Sequence, residues 1–338
     1  MLLLIERKVF QSFSRILRRF STNLETNFNA NGTSDKNEDP EISNSHLKSL
    51  KIAIIGLPNA GKSTLINQLV NRTICATSSK VHTTRKNSEA VYVEGDTQLV
   101  FIDTPGLVSS GDFKRYNMED SFRSDVNRSL KRADIVGVVQ DMENSRARER
   151  ISKRTLPLLE AYGKNRPTIL ILNKVDRIKK KKHLLDVVKN LTDEKSWPHF
   201  IDIFMVSALK NDGVDDLRNY FLDSSKWKKW DYDAEIYTDQ SPELVVERTV
   251  KATLLDDLPQ ELPYKLVVKL EHLTVLEEGT ISSLVQILCP TERICKVVLG
   301  PGGQRIKDIS LQCEKALSNG FRTTVRLTLA VSSAEKKN

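Results

Sequence analysis

The chain has 338 residues, 39% of them hydrophobic and 28% charged, which is length enough for two ordinary domains each with its own core. No apolar run approaches the ~20 residues a bilayer-spanning helix needs, so no segment reads as one. The formal net charge is +8, but residues 1–24 hold five basic side chains and one acidic, and without them it halves to +4, a weak argument for a nucleic-acid partner.

The first element in chain order is "MLLLIERKVFQSFSRILRRFSTNL". At about 100° per residue, Ile5, Val9, Phe13, Ile16 and Phe20 fall within about 80° of one another, and Arg7, Lys8, Arg15, Arg18 and Arg19 take the opposite side. An amphipathic, arginine-bearing, acid-poor leader fits a mitochondrial import segment better than a secretory one, which needs a longer apolar core and small residues before its cut. "RRF|ST" is the expected processing point, and an ordinary surface helix is the alternative. Residues 25–47 are polar with almost no apolar content and read as a disordered connector.

Residues 48–224 read as a nucleotide-binding unit. "LKIAIIG" has the continuous apolar character of a buried strand and "KSTLINQLV" has helical period, so the loop between them joins a strand to a helix. Gly56-Leu57-Pro58-Asn59-Ala60-Gly61-Lys62-Ser63 satisfies G-x-x-x-x-G-K-[ST] in full. Its glycines let successive backbone N–H groups converge on phosphate oxygens at a helix N-terminus. Lys62 is placed to reach the β- and γ-phosphates and Ser63 to put its hydroxyl on Mg²⁺, with Thr64 next in the cradle.

"LVFIDTPGL", residues 99–107, is a second strand ending in Asp103, which can hold Mg²⁺ through water. Gly106, three residues on, can offer its N–H to the γ-phosphate. Residues 109–132 carry mixed charges and few apolar anchors and are the expected site of a mobile second switch. "TILILNKVD", residues 168–176, is a third strand ending in Asn173-Lys174-x-Asp176. Asp176 is acceptor-only, which suits the N1–H and N2 amine of guanine, whereas adenine offers an acceptor at N1 and no amine. Sites built on such hydrogen bonds reject the wrong partner by roughly 10⁴-fold or more. The lysine run at 179–182 reads as a solvated helix start. "FMVSALK", residues 204–210, supplies a fourth strand and the Ser207-Ala208 turn, whose backbone can read guanine O6. Phosphate loop, metal aspartate, guanine aspartate and base turn follow in that order, each at the C-terminal end of a strand, and together predict a GTP-binding domain.

Residues 225–241 hold two tryptophans and no clean period, and read as an ordered linker packed on one or both halves. From 242 to 334 the elements can be counted. A helix follows Ser241 as N-cap. The strand "YKLVVKLEHL" alternates Tyr264, Leu266, Val268 and Leu270 against Lys265, Lys269 and Glu271. The strand "TISSLVQILCP" and the short helix "TERICKVVLG" come next. A longer helix puts Ile306, Ile309, Cys313 and Leu317 on one face, and a last strand turns Val325, Leu327, Leu329 and Val331 inward. The order α-β-β-α-α-β, with Gly300-Pro301-Gly302-Gly303 between the last two helices, matches a type II KH domain. A GxxG loop clamps about four nucleotides, because glycines let the chain approach the sugar-phosphate backbone. The four cysteines show neither CxxC pairs nor histidine partners at metal spacing, and read as reduced buried thiols.

"GLPNAGKSTLIN", "TTR" at 83–85, "DTPGL", "NKVD" and "SALK" together resemble the Era branch of the TrmE–Era GTPases, and the resemblance covers about residues 48–334. It implies an α/β P-loop GTPase domain with a mostly parallel sheet, followed by a smaller α+β type II KH domain. It further implies that Thr84, rather than Thr83, is the switch threonine over Mg²⁺ and the γ-phosphate. Lys62, Thr84 and Gly106 would then form the catalytic set, and Asn59 would help hold a K⁺ ion where other GTPases place an arginine finger. Leu107 stands where many GTPases carry a water-orienting glutamine. Supplying a missing cation to phosphoryl transfer can be worth ~10³ to 10⁵ in rate, so slow hydrolysis accelerated by K⁺, RNA or a ribosomal partner is expected.

One departure concerns the RNA clamp. Era-like loops commonly carry a lysine inside GxxG, and here Pro301 and Gly302 stand there; Arg305 and Lys307, or Lys265 and Lys269, are the expected replacements. The resemblance implies a monomer in the mitochondrial matrix, binding GTP/GDP, Mg²⁺ and the 3′ region of small-subunit ribosomal RNA during assembly. Small ribosomal subunit proteins and the inner-membrane surface are its expected neighbours. A nucleotide-gated RNA chaperone with dispensable hydrolysis is a second reading. A GTPase component of tRNA modification is a third, although the tail has GxxG in place of a catalytic cysteine motif. A membrane-surface GTPase rests only on the basic leader.

Overall fold

The structure, a computed structural model, describes residues 46–78, 87–107, 121–179, 183–194, 196–259 and 261–334, without the side chains of 121–125. The leader, nearly all of the connector, Thr83 and Thr84, the segment 108–120 and three of the four lysines at 179–182 lie outside the described residues.

The first half is built on seven strands, β1 (Lys48–Gly56), β2 (Ser88–Glu94), β3 (Thr97–Asp103), β4 (Ile135–Asp141), β5 (Thr168–Asn173), β6 (Asp202–Val206) and the two-residue β7 (Lys226–Trp227). They run in the order β2-β3-β1-β4-β5-β6, with β7 on the start of β1. The pairs β1–β3, β1–β4, β4–β5 and β5–β6 are parallel, and β2 adds antiparallel to β3 at one edge. Parallel neighbours need crossover helices, and these cover both faces of the sheet. They are α1 (Lys62–Leu69), α2 (Ser121–Arg132), α3 (Ser145–Glu149), α4 (Leu156–Tyr162), α5 (His183–Leu191) and α6 (Val214–Asp223). Central β1 is therefore buried on both sides. Ile52 and Ile54 join Leu65, Phe101 and Phe221 on one face, while Ala53 and Ile55 join Val126, Leu130 and Leu159 on the other.

The second half follows as α7 (Pro242–Asp257), β8 (Val267–Val275), β9 (Ile281–Cys289), α8 (Glu292–Leu299), α9 (Gln304–Phe321) and β10 (Val325–Ser333), the order expected. Its sheet runs β10-β9-β8, with β9 parallel to β10 and antiparallel to β8. One face of β9, comprising Ile281, Ser283, Val285, Ile287 and Cys289, is buried, as the two-residue period requires. The Ser241 hydroxyl accepts from Leu244 N at 3.3 Å and caps α7.

Four expectations need correction. The four strands expected in the first half are β1, β3, β5 and β6, and the sheet adds β2 and β4, which carry none of the motifs, and the short β7. Tyr264 and Lys265 lie in a 3₁₀ turn, Leu262–Lys265, where Pro263 lacks the N–H a strand ladder uses; β8 begins only at Val267. A bulge between Leu270 and His272 then breaks the alternation. The later part of the second-switch segment is an ordered helix, because Val126 and Leu130, four residues apart, both anchor in the core.

The linker packs on the first half. Trp230 Nε1 donates to Lys48 O at 2.9 Å, the backbone N–H groups of Asp231 and Tyr232 donate to Gln98 Oε1, and Val91 N donates to Tyr237 O. The two halves meet where the chain leaves α1. Thr73 donates from N and Oγ1 to Asn319 Oδ1 at 2.8 and 2.9 Å, and Arg322 Nη2 donates to Asn71 O at 2.8 Å. Gly320 permits this approach, since a Cβ there would lie 2.5 Å from Thr73 O. All four cysteines are free thiols, three of them buried and Cys295 half-buried.

Candidate functional site

The C-terminal ends of β1, β3 and β5, with the turn after β6, open onto one cavity of about 790 Å³. Gly56, Gly61 and Gly106 are each required by a close approach. A Cβ at Gly56 would lie 2.5 Å from Val139 O, one at Gly61, whose φ is +89°, would lie 2.2 Å from Asn173 Nδ2, and one at Gly106 would lie 2.7 Å from Pro58 Cα. Asn59 takes a left-handed conformation, φ 61°, at the cavity wall. Ala60 is buried behind the loop.

Lys62 opens α1 and is 6% exposed. Its Nζ donates to Gly56 O at 3.4 Å and Leu57 O at 3.2 Å, so the ammonium lies beneath the loop. Burial pushes this lysine down to about 8, with the Asp103 carboxylate pulling the other way. Ser63 Oγ donates to Asp103 Oδ2 at 2.6 Å, bringing two hard oxygen donors together at the start of α1 and the end of β3. Thr64 lines the same wall. Thr104 Oγ1 donates to Ile54 O and Leu107 N to Gly56 O, fastening the β3 exit to β1. The Leu107 side chain points into the core, 7% exposed.

At the far end of the cavity, Asn173 is the keystone. Its Nδ2 donates to Ala60 O at 2.9 Å and its Oδ1 accepts from Ala208 N at 3.0 Å, so one amide braces the phosphate loop against the base turn. Lys174, left-handed with φ 63°, donates Nζ to Asp141 Oδ2 at 2.7 Å. The Asp176 carboxylate is oriented by Ser207 Oγ, which donates to Oδ1 at 2.7 Å. Residues from four separate motifs thus share one cavity with acceptors at one end and a lysine at the other, while Thr84 lies outside the described residues. Asp141, Glu143 and Asp256 also line it, and the motifs give no signal for any of the three.

The glycine loop stands between α8 and α9. Gly300 (φ 73°), Gly302 (φ 57°) and Gly303 (φ 76°) all have the left-handed backbone that glycine favours, and Pro301 and Gly302 are exposed. Arg305 is half-buried and donates Nη1 to Val297 O, one of the carbonyls that the end of α8 leaves without a helical partner. It braces the loop from behind. Lys307, Lys265 and Lys269 are exposed, and Lys269 lies 3.2 Å from Glu271. On α8, Arg293 and Lys296 are exposed basic groups that the loop motif did not flag.

Residues 51–174 match the family described as 50S ribosome-binding GTPase. The mitochondrial GTPase Era of Danio rerio is 36% identical over 336 residues, covering 84% of this chain and 75% of that protein. GTPase Era of Erythrobacter litoralis is 34% identical over 291 residues, 84% of this chain and 91% of that protein. Among solved structures, Era in complex with MgGDPNP and nucleotides 1506–1542 of 16S ribosomal RNA is similar, with TM-score 0.70 and 26% identity over 86% of this chain and 95% of that one.

Proposed function

The chain belongs to the Era family of GTPases, and on that premise we propose that it binds and hydrolyses GTP, holds small-subunit ribosomal RNA through residues 242–334, and serves in assembly of the mitochondrial small ribosomal subunit. The observation that carries this reading is the likeness to one relative, bound to both nucleotide and RNA, along both halves of the chain, 86% of its length. The family match named for the 50S subunit concerns the first half alone.

In this reading Asp176 accepts from N1–H and the N2 amine of guanine, and the backbone of the Ser207-Ala208 turn faces O6. The phosphate loop with Gly56, Asn59, Ala60, Gly61 and Thr64 surrounds the phosphates, and Lys62 sets its charge against them. Gly106 offers its N–H to the γ-phosphate. Ser63 and Asp103, with Thr84, hold Mg²⁺; oxygen donors 2.6 Å apart suit an ion that takes oxygen ligands. Held there, Mg²⁺ would supply positive charge to offset that of the phosphates. Leu107, buried and without a hydrogen-bonding group, cannot orient the attacking water, which supports slow intrinsic hydrolysis. Asn59 is the proposed K⁺ ligand, and equal rates in K⁺ and Na⁺ would remove that assignment.

Gly300 to Gly303 clamp the RNA backbone, with Lys307 supplying charge and Arg305 bracing the loop. The matrix is the proposed compartment, with small-subunit proteins and the inner-membrane surface as neighbours; among the described residues no helix is long and apolar enough to cross a membrane. Leu107 also favours a second reading, in which GTP occupancy alone controls the RNA. A Thr84→Ala chain that still binds GTP and restores assembly without hydrolysis would establish it.

The test of the main reading is crosslinking of the GTP-loaded protein to RNA inside mitochondria, with Pro301→Asp/Gly302→Asp as control. A sharp peak near the 3′ end of the small ribosomal RNA, lost in the control, is expected. A diffuse or absent signal would refute the RNA assignment.

A further inference from the structure

Arginine gathers on one short stretch of the first half. Residues 145–154 hold Arg146, Arg148, Arg150, Lys153 and Arg154 against the single acid Glu149. Ala147 and Ile151 are buried and anchor the stretch on the core, so Arg146, Glu149, Arg150 and Lys153 face solvent, with Arg148 half-buried beside them. Among the described residues, no carboxylate pairs with Arg146, Arg148, Arg150 or Lys153. A face that is only solvated is commonly laced with charges of both signs; this one is nearly all positive.

The stretch is fixed to the nucleotide site at both ends. At its start, Met142 N donates to Asn173 O at 2.9 Å, Glu143 and Asn144 line the cavity, and Asn144 Oδ1 accepts from Arg146 N at 3.0 Å to cap α3. At its end, Arg154 Nη1 donates to Leu107 O at 3.2 Å, one residue past Gly106. Helix α5 packs against α3 and carries exposed His183, Asp186 and Lys189.

What meets such a face follows from its composition. A planar guanidinium matches phosphate oxygens with paired donors. No apolar side chain of residues 145–154 is exposed and none is aromatic, so the face has nothing to sink into a bilayer and nothing on which to stack a base. Backbone phosphates fit it, held without reading sequence. An RNA already held by residues 242–334 is tethered to the same chain and so presented at high effective concentration, an advantage a free acidic protein lacks. We propose that Arg146, Arg148, Arg150 and Lys153 form a second RNA-docking surface, on the first half, that grips phosphates of the RNA held by the second half. The inference rests on the RNA reading and extends it. RNA contact and nucleotide contact then share one short segment, running from the cavity wall to the side chain that holds Leu107 O.

The test measures binding of a transcript of the 3′ domain of small ribosomal RNA to the full, GTP-loaded chain as a function of salt. Arg146→Gln/Arg148→Gln/Arg150→Gln/Lys153→Gln should lower the slope of log affinity against log salt by about 3, at about 0.7 to 0.9 for each phosphate contact, with GTP affinity unchanged. The exposed pair alone, Arg146→Gln/Arg150→Gln, should lower it by about 1.5, and decides the matter if the fourfold variant does not fold. Removing four scattered exposed lysines, as Lys164→Gln/Lys210→Gln/Lys226→Gln/Lys229→Gln, should leave the slope as it is. An unchanged slope in the arginine variants overturns the inference and turns the search to an acidic protein or an anionic lipid surface. An equal fall in the lysine variant overturns it too, since net charge alone would then explain the effect. A natural chain that binds no RNA overturns the RNA reading and this inference with it.

Discussion

Raising the pH from 7 to 8.5 should weaken nucleotide binding through Lys62. The chain's own surroundings bring this lysine from 10.5 to about 8 because burial penalises the ammonium. Phosphate oxygens beside it favour the charged form and return its pKa upward. A lysine whose pKa is higher in the complex takes up protons on binding, so affinity is full below about 8 and is lost as the pH climbs through that value. For a group titrating at about 8, uptake is about 0.1 proton at pH 7, about 0.5 at pH 8 and about 0.75 at pH 8.5. Affinity then falls about 4-fold between pH 7 and 8.5, or about 0.8 kcal/mol, and approaches 10-fold per pH unit beyond. The terminal phosphate, with its last pKa near ~6, has finished ionising by then and does not mask the effect. Calorimetry at pH 8 and 8.5, in paired buffers of different ionisation enthalpy, reads the proton number directly. No uptake, or proton release, would refute the reasoning.

Three further outcomes are expected. Asp176→Asn replaces a group that accepts from two guanine donors with one that also donates; GTP affinity should fall by at least ~10²-fold, with xanthosine triphosphate, a carbonyl in place of the amine, becoming the better ligand in a competition assay. Gly61→Ala would drive a methyl into Asn173 Nδ2 at 2.2 Å from a left-handed backbone, so a loss of about 1–3 kcal/mol in thermal unfolding and weakened nucleotide binding are expected. Lys307→Gln should reduce the salt slope of RNA affinity by about 1, the signature of one lost phosphate contact, whereas Arg305→Gln should weaken RNA binding with the slope unchanged, because its guanidinium holds Val297 O; a slope change in Arg305→Gln would put that side chain on the RNA.

The nucleotide cavity was legible in the sequence because its chemistry is local. Each motif sits at the end of a strand, and a parallel sheet brings such ends to one edge, so Lys62, Asp103, Asn173 and Asp176 meet without long-range information. Arg305 was harder. Its charge suggested a phosphate, but side-chain direction depends on an unpaired carbonyl at the end of another helix, which the sequence around Arg305 does not encode. The start of β8 was misread because alternation in "YKLVV" outweighed Pro263. Asp256 gave no signal at all: its approach to Ser78 depends on how the second half sits against the segment after α1, a tertiary relation separated by 178 positions.

The linker's return to β1 has a mechanical consequence. Lys226 and Trp227 pair with Ser49 and Lys48, and Trp230 ties to Lys48 O, so the tether between the halves is anchored at the opposite end of β1 from the phosphate loop. Tension on the second half, as when a ribosomal RNA strand shifts beneath it, is delivered to the base of a strand flanked by β3 and β4 and shared across the sheet. The cradle at the tip is shielded from that pull. The junction of Thr73 with Asn319 offers a second path, entering at the far end of α1. A tug along the tether is therefore spread over the sheet, while a tilt of the second half reaches the cavity wall through Asp256 on Ser78 and the end of α1 through Asn319 on Thr73.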